Sequence, residues 1–395
     1  MGSLQNRTAL AGNSPFRSYP DFAAYWCRSN RDVVHKGRAM AAKRIAWIDN
    51  ARGLGIVLVV LGHVITTIGS LPVKSMIFTF HMPLFVFLTT MVLKDEDWRT
   101  AAVSKARALL LPYVTYLFLL GLPACLYRLS GSFSAGIVYG AKLALGGTYL
   151  TGTMTAFWYM PAIYLTLLGY LFLRQRLGGE RSGRFVAAMT VVALLAYAIS
   201  SLRITVPVPL ALHAVPGLVL FMWIGRSIAW NRNVAAMTVA AIAVVCVAIW
   251  IERASAGRTF QLDLKNGILG VPLLGILLAC AGSQLVFALA RLSERSALLS
   301  RLLGFLGRTT IPILFLHQAV NIGLRDAGIN NQYILTVTAL LLPALFALCV
   351  RRHLPAACPY LGIPQAKTVG SAGEQHNERS ASRQHAGGVT KAALH

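Results

Sequence analysis

Long apolar runs separated by short polar segments fill the chain from residue 54 to residue 350. A helix needs roughly 20 apolar residues to cross the hydrocarbon of a bilayer, and eleven runs approach that length. They cover residues 54–70, 76–93, 109–127, 135–150, 157–173, 185–201, 209–229, 234–251, 267–290, 309–323 and 333–350. The run at 135–150 carries Lys142 and several glycines, so we interpret it as an interfacial or re-entrant piece. The pattern predicts an all-α, polytopic membrane bundle of about ten transmembrane helices.

The charge of the loops predicts how the spans are oriented. Lys and Arg are frequent in the N-terminal arm, in alternate loops and directly after the last run, and cytoplasmic loops carry such an excess. We therefore expect both termini in the cytoplasm and, without an early apolar run, no cleavable signal peptide. The predicted organisation is a basic cytoplasmic arm at 1–44, a transmembrane domain at 45–352 and a disordered cytoplasmic tail at 353–395.

Composition changes this picture little. Of the 395 residues, 56% are hydrophobic and only 13% are charged, which excludes an ordinary soluble protein. The net charge of +24 would suggest nucleic-acid binding in a soluble chain, but here the basic residues lie in tails and short loops, so we expect no nucleic-acid partner. The six cysteines show no paired close spacing, so neither a disulfide framework nor a metal site is expected.

The first run contains the most informative pattern. Asp49 and Arg52 precede the apolar residues, and His63 lies in their middle. Eleven residues turn a helix by roughly 1100°, about three turns, so Arg52 and His63 share one helix face about 16 Å apart. Ionisable side chains inside a span are costly and usually functional. The alternative is a histidine that forms an ordinary hydrogen bond between helices.

Two other histidines within apolar runs are candidate site residues. His81 lies two residues before Pro83, so it is either a site residue or the group that satisfies the carbonyl freed by the proline. His317 ends the segment Gly-Arg-Thr-Thr-Ile-Pro-Ile-Leu-Phe-Leu-His, in which Arg308 is the second residue. Both His317 and Arg308 are candidate site residues with a structural alternative.

Cations and aromatic residues at the ends of runs are weaker candidates. Lys105 and Arg107 precede the run at 109–127 and suit a phosphate-bearing cofactor, although anionic lipid headgroups or orientation bias explain them equally well. Trp158 and Tyr159 open the run at 157–173. They are typical of an aromatic interface belt, and aromatic faces also bind sugars and acyl chains.

Together these segments resemble the acyltransferase family 3 membrane proteins, which O-acylate bacterial surface and exported carbohydrates. The resemblance covers roughly residues 44 to 350. It depends on Arg-x10-His from Arg52 to His63, Phe-His-Met-Pro-Leu-Phe at 80–85, the basic run into Leu-Pro-Tyr at 105–113, Phe-Trp-Tyr-Met-Pro-Ala at 157–162 and the segment at 307–317. The chain is most similar to the fucose 4-O-acetylase-like and exopolysaccharide acetyltransferase branch, including enzymes of xanthan-type polymers. It departs from relatives in having Thr89-Thr90 where Ser-Gly is usual, and in a thinner, offset basic cluster near Lys105.

The resemblance implies an O-acetyltransferase of the bacterial inner membrane that moves acetyl from acetyl-CoA to a sugar hydroxyl of an exopolysaccharide or its lipid-linked precursor. On this hypothesis His63 is the general base, Arg52 holds a donor phosphate or biases the charge of His63, and Asp49 orients Arg52. Lys105 and Arg107 would dock the coenzyme. Expected partners are the carbohydrate acceptor, membrane lipids and polysaccharide assembly machinery, with no metal.

Two other classes of protein fit the same pattern. A transporter or flippase of a glycolipid or small solute would also have proline-broken spans and buried ionisable residues, although paired half-repeats are not evident. A non-catalytic component of a polysaccharide assembly complex is the third hypothesis. The sequence contains no G-x-S-x-G, H-E-x-x-H or Walker motif, so neither a nucleophilic serine nor a metal is indicated.

Overall fold

The computed structural model describes residues 45–65, 73–203, 206–254 and 262–365. The predicted N-terminal arm and most of the predicted tail lie outside these residues. Thirteen α-helices follow one another in the described part of the chain. They are α1 (Ala46–Val64), α2 (Val73–Val92), α3 (Trp98–Lys105), α4 (Leu111–Gly131), α5 (Phe133–Leu145), α6 (Tyr159–Arg176), α7 (Gly183–Leu202), α8 (Val215–Ser227), α9 (Val234–Ala254), α10 (Leu274–Ser293), α11 (Ala297–Arg308), α12 (Thr310–Asp326) and α13 (Gln332–His353).

The helices confirm the predicted all-α membrane bundle. Within the described residues, nine helical segments are long and apolar enough to cross a membrane, and α11 with α12, bent by 78°, would make a tenth. The helices α3 and α4 join through a π-helical turn at Ala106–Leu110 into one long segment. Helix α5, in the run predicted not to cross, has 13 residues and is about 20 Å long. That length is short of a hydrocarbon core of about 30 Å.

Helix α1 differs from the prediction in its limits. It starts at Ala46, whereas the predicted run began at residue 54, and the described helix ends at Val64. Arg52 therefore lies in the second turn, and His63 lies in the last turn instead of the middle. We call the two ends of the bundle the Asp49 end and the His63 end, after the α1 residues that mark them.

Hydrogen bonds gather several loops at the Asp49 end. Asn50 Nδ2 donates to Ser293 Oγ at the end of α10 over 2.9 Å. Arg291 Nη2 donates to Asn231 Oδ1 in the loop after α8 over 2.7 Å, and the Arg291 guanidinium lies 4.0 Å from the centre of the Trp47 ring in α1. The start of α1 therefore lies next to the start of the α8–α9 loop and the start of the α10–α11 loop.

A second network at the same end is centred on Glu180, in the loop after α6. Its Oε1 accepts from Arg226 Nε and from the Tyr170 hydroxyl, both at 3.0 Å, and Arg174 lies 3.6 Å away. Arg174 also donates to Asp95 in the loop after α2 and holds the pKa of that carboxyl below its usual value. The loops that the charge pattern assigned to one side of the membrane thus share one end of the bundle.

The last two helices return the chain to the Asp49 end. Arg325 Nη2 donates to the carbonyl of Val64 over 2.8 Å, so α12 ends where α1 ends, and α13 runs back. Beyond α13, two 3₁₀ turns bury Cys358, and the carbonyl of Leu361 accepts from the Tyr116 hydroxyl of α4. This packed segment differs from the predicted disordered tail, whose boundary was set at residue 353.

Helix α1 is the centre of the bundle. It contacts α2, α10, α11, α12 and α13, and Ala51, Ile56 and Val60 on it are fully buried. Helix α9 is peripheral, because it packs mainly on α10 and only 11% of its apolar stretch is buried. The two ionisable groups singled out in the sequence are thus carried by this central helix.

Candidate functional site

The two principal candidate residues lie at opposite ends of α1. Arg52 and His63 are eleven residues apart, which places them about 16 Å apart along the axis. They share a helix face as the spacing predicts, and Arg52 is not among the residues that line the cavity beside His63. The structure therefore presents two clusters, one at each end of the helix.

Three histidines and a phenylalanine gather at the His63 end. The ring centres of His63 and His317 are 5.2 Å apart, and the Phe78 ring lies 5.8 Å from His63 and 4.9 Å from His81. His81 and His317 are buried, whereas His63 is half-buried. Helices α1, α2 and α12 each contribute one imidazole, so this cluster forms only when all three helices pack together.

The hydrogen bonds of His81 and His317 identify the nitrogen that carries the proton. His81 Nδ1 lies 2.9 Å from the carbonyl of Ile77, and His317 Nδ1 lies 2.9 Å from the carbonyls of Ile313 and Leu314. A carbonyl oxygen only accepts, so each Nδ1 must donate, and in the neutral ring Nε2 holds the lone pair. Nε2 of His317 has no hydrogen-bond partner among the described residues. Both rings thus have a basic nitrogen that the helix does not use.

Proline support does not explain His81. Pro83 lacks the N–H that would bond the carbonyl of residue 79, four positions earlier. The His81 ring instead bonds the carbonyl of Ile77. Its position at the site is therefore not a consequence of the kink.

A cavity of about 230 Å³ opens beside His63. Its polar and ionisable lining is His63, Lys74, His81, Thr155, Asp263 and Lys265. Trp158 and Leu314 are among its apolar walls. Trp158 is thus the predicted aromatic residue that reaches the site, as a wall of the cavity.

A short, tightly folded loop brings Lys265 into the cavity. Asp263 and Ile268 form an antiparallel bridge around a 3₁₀ turn at Leu264–Asn266. His213 Nε2 donates to the carbonyl of Lys265 over 2.8 Å, and Lys265 Nζ donates to Thr155 Oγ1 over 2.7 Å. Burial lowers the pKa of Lys265, and the nearby Asp263 carboxylate opposes that shift. Both the backbone and the ammonium of Lys265 are therefore held in place.

The sequence analysis missed Lys74, Asp263 and Lys265. Each is one charged residue near the end of an apolar run, a position where charge is ordinary. The loop that carries Asp263 and Lys265 falls between the apolar runs at 234–251 and 267–290. The folded structure reveals them, because that loop and α2 line the same cavity as His63.

Asp49 and Arg52 form the cluster at the other end of α1. Arg52 Nη1 donates to Asp49 Oδ1 over 3.4 Å, as expected for residues three apart on a helix. Arg308 Nη1 and Asn50 Oδ1 both lie beside Gly304 of α11, where an added Cβ would be 3.1 and 3.4 Å from them. The structure thus brings Asp49, Arg52 and Arg308 into one region, apart from the histidines.

Close helix packing builds this region. A Cβ on Gly53 would lie 2.1 Å from the carbonyl oxygen of Leu303, and one on Gly307 would lie 2.0 Å from the carbonyl oxygen of Asp49. Only glycine permits such contact between α1 and α11. Asn50 Nδ2 also donates to Ser300 Oγ of α11 over 3.0 Å.

The remaining candidate residues join neither cluster directly. Lys105 Nζ forms an ion pair with Glu96 Oε1 at 2.9 Å, and Arg107 is exposed in the π-helical turn. Tyr159 is buried next to Trp158, with 5.7 Å between the ring centres, and its hydroxyl has no partner within the described residues. Any role of Lys105 and Arg107 in coenzyme docking is therefore peripheral to both clusters.

Comparison with known proteins gives one result. The sequence model of the acyltransferase 3 family, described as an acyltransferase domain, matches residues 45–350. No curated protein and no solved structure shows significant similarity to the chain. The matched region contains α1 to α13 almost entirely, and with them both clusters.

Proposed function

Because the chain belongs to the acyltransferase 3 family of membrane acyltransferases, we propose that it is an O-acetyltransferase that uses acetyl-CoA and acetylates a sugar hydroxyl. The proposed acceptor is an exopolysaccharide or its lipid-linked precursor, as in the exopolysaccharide acetyltransferase branch that the sequence resembles. The observation that carries the proposal is the cavity at the His63 end, where a half-buried imidazole stands beside two histidines of fixed orientation.

The chemistry needs a base at the acceptor hydroxyl. A sugar hydroxyl is a weak nucleophile, so in the proposed step His63 takes its proton while the oxygen attacks the thioester carbonyl. A C–O bond forms to give a tetrahedral intermediate, and the C–S bond then breaks. The leaving thiolate receives the proton from the imidazolium, so that acetyl ester and free coenzyme result. His317 is the neighbouring imidazole, with its ring centre 5.2 Å from that of His63, and its Nε2 forms no hydrogen bond within the described residues.

The cluster at the Asp49 end suits the other part of the donor. Arg52 can form two parallel hydrogen bonds to a phosphate, and Asp49 orients it. The pantetheine arm of coenzyme A is a long flexible chain that would follow α1 from Arg52 toward His63. We propose that the Asp49 end faces the cytoplasm, where the coenzyme is made, and that the protein lies in the bacterial inner membrane with both termini cytoplasmic.

The test measures O-acetyl groups on the extracellular polysaccharide of the host by proton NMR. Strains would carry a deletion, the wild-type copy, His63→Ala, Arg52→Lys or the control His353→Ala, which changes an exposed histidine at the end of α13. We expect one acetyl signal to disappear in the deletion and in His63→Ala, to weaken in Arg52→Lys and to persist in His353→Ala, with equal protein levels throughout.

Two results would contradict the proposal. Intact acetylation in His63→Ala and Arg52→Lys would remove both residues from the mechanism. Unchanged acetylation with a falling polymer yield in the deletion strain would favour the transporter or assembly hypothesis instead.

A further inference from the structure

Lys265 is a cation whose charge is incompletely balanced inside the cavity. Its ammonium has three N–H donors, and the described contacts give it one hydrogen bond, to the neutral hydroxyl of Thr155. Among the ion pairs formed by described residues none includes Lys265, although Asp263 is close enough to act on it electrostatically. Two donors of a half-buried ammonium are therefore left for a ligand.

The cavity as a whole carries excess positive charge. Two lysines, the half-buried Lys265 and the exposed Lys74, line it together with one carboxylate, Asp263, and the remaining polar lining is neutral unless an imidazole is protonated. Unbalanced charge close to a membrane interior is costly to hold. The loop nevertheless anchors Lys265 twice, through its own carbonyl and through Thr155. A cation held in this way next to a candidate base suits the binding of an anionic group.

We propose that Lys265, held by Thr155, binds an anionic group of the acceptor, a carboxylate or a phosphate, and so selects acidic over neutral sugars at the cavity. This inference depends on the proposed function, since it names the acceptor class of the same site. The anion would lie near Lys265 while a hydroxyl of the same acceptor faces His63, since both residues line one cavity large enough for a single sugar-sized group. Lys265 is thus a specificity residue, distinct from the base.

The alternative is a purely structural lysine that ties two loops together. One observation and one pair of variants separate the two hypotheses. The tie to His213 uses the backbone carbonyl of Lys265, so it survives any change of the side chain. Lys265→Arg keeps the charge, whereas Lys265→Met keeps most of the length of the side chain but loses the charge. A purely structural role would lower Tm in Lys265→Met and leave the preference between the two glycosides unchanged, whereas a binding role removes that preference.

The experiment measures binding to the full-length protein in lipid nanodiscs by isothermal titration calorimetry, which requires no turnover. The probes are methyl glucuronoside, methyl glucoside and inorganic phosphate. We expect the wild type to bind the glucuronoside about ten-fold more tightly than the glucoside, as one charge-assisted hydrogen bond predicts. Lys265→Met should lose this preference, Lys265→Arg should keep it, and Lys142→Met, which removes an exposed lysine of α5, should not change it.

Each outcome supports or overturns the inference. Equal binding of the two glycosides by the wild type, or an unchanged preference in Lys265→Met, would overturn it. Tighter binding of phosphate than of glucuronoside, lost in Lys265→Met, would support the phosphate form of the acceptor. Displacement of the glucuronoside by coenzyme A would show that the anion belongs to the donor, and would overturn the assignment to the acceptor. Since none of these results depends on acetyl transfer, failure of the proposed function would be seen separately, in the NMR test.

Discussion

Replacing Gly53 with alanine tests whether the contact between α1 and α11 supports the Asp49 end. The added Cβ would lie 2.1 Å from the carbonyl oxygen of Leu303 and 2.8 Å from its carbonyl carbon. Ordinary C···O contacts are about 3.3 Å long, so α11 would have to move away by about 1.2 Å. Both partners are backbone, so no side-chain rotation can relieve the clash.

The expected cost follows from two opposing effects. Overpacking of this kind destabilises by about 1–3 kcal/mol, while alanine gains about 1 kcal/mol over glycine as a helix former. The net loss is therefore up to about 2 kcal/mol, which lowers Tm by up to roughly 2–3 °C in a chain of this size. The displacement would also disturb Arg52 and Asp49, whereas His63, about 16 Å further along α1, would be less affected. We therefore expect the KM for acetyl-CoA to rise more than the KM for the acceptor.

The assay is thermal unfolding of the purified protein in detergent, followed by kinetics in nanodiscs. Gly323→Ala is the matched control, because it makes the same chemical change in α12, where a Cβ would meet nothing within 4 Å. It should raise Tm slightly or leave it unchanged. If Gly53→Ala and Gly323→Ala melted at the same temperature with the same KM for acetyl-CoA, the close contact would not support the site and the reasoning would be wrong.

Three further predictions concern single side chains. His81→Asn keeps a donor for the helix carbonyl but lacks the basic Nε2. The kcat should therefore fall by about ten-fold or more, with little change in Tm. An unchanged kcat in the acetyl-transfer assay would exclude His81 from the chemistry. Glu180→Gln weakens the acceptor that two arginines and a tyrosine share and should destabilise the protein by about 1–3 kcal/mol. The measurement is Tm, compared with that of Glu294→Gln, which changes an exposed glutamate. Equal Tm values for the two variants would refute the prediction. Burial lowers the pKa of Lys265 in the folded state, so between that pKa and about 10.4 the unfolded chain binds more protons than the folded chain. The free energy of unfolding contributed by this residue therefore rises with pH in that window. Tm plotted against pH should have a smaller slope there in Lys265→Met than in the wild type, and parallel curves would contradict the prediction.

The class of fold could be predicted because it depends on local composition. Each apolar run predicts a helix without reference to the rest of the chain, and Lys142 within the run at 135–150 indicated that this run does not cross the membrane. The start of α1 was not predictable in this way. Asp49, Asn50 and Arg52 made its first turns look like a polar loop, yet Asp49 and Asn50 are buried in the structure. Their burial depends on α11, which is about 250 residues away along the chain.

The candidate site was partly predictable, because some of its residues are marked by local sequence pattern and others only by distant contacts. The spacing of Arg52 and His63 fixes their shared face but not their surroundings, and it does not show that His317 lies beside His63. Lys265 could not be found, since a lysine in a polar loop between two apolar runs carries no signal of its own. Its importance arises from contacts with Thr155 and His213, which are separated from it by 110 and 52 residues.

The orientation of His81 and His317 has a consequence for how such a protein can diversify. Each ring is held by main-chain carbonyls of its own helix, and every amino acid supplies that carbonyl. No particular second side chain has to be preserved to keep the rings in place. If the proposed function holds, the residues that shape the cavity around them are therefore free to change with the acceptor, and the same two imidazoles can serve different substrates.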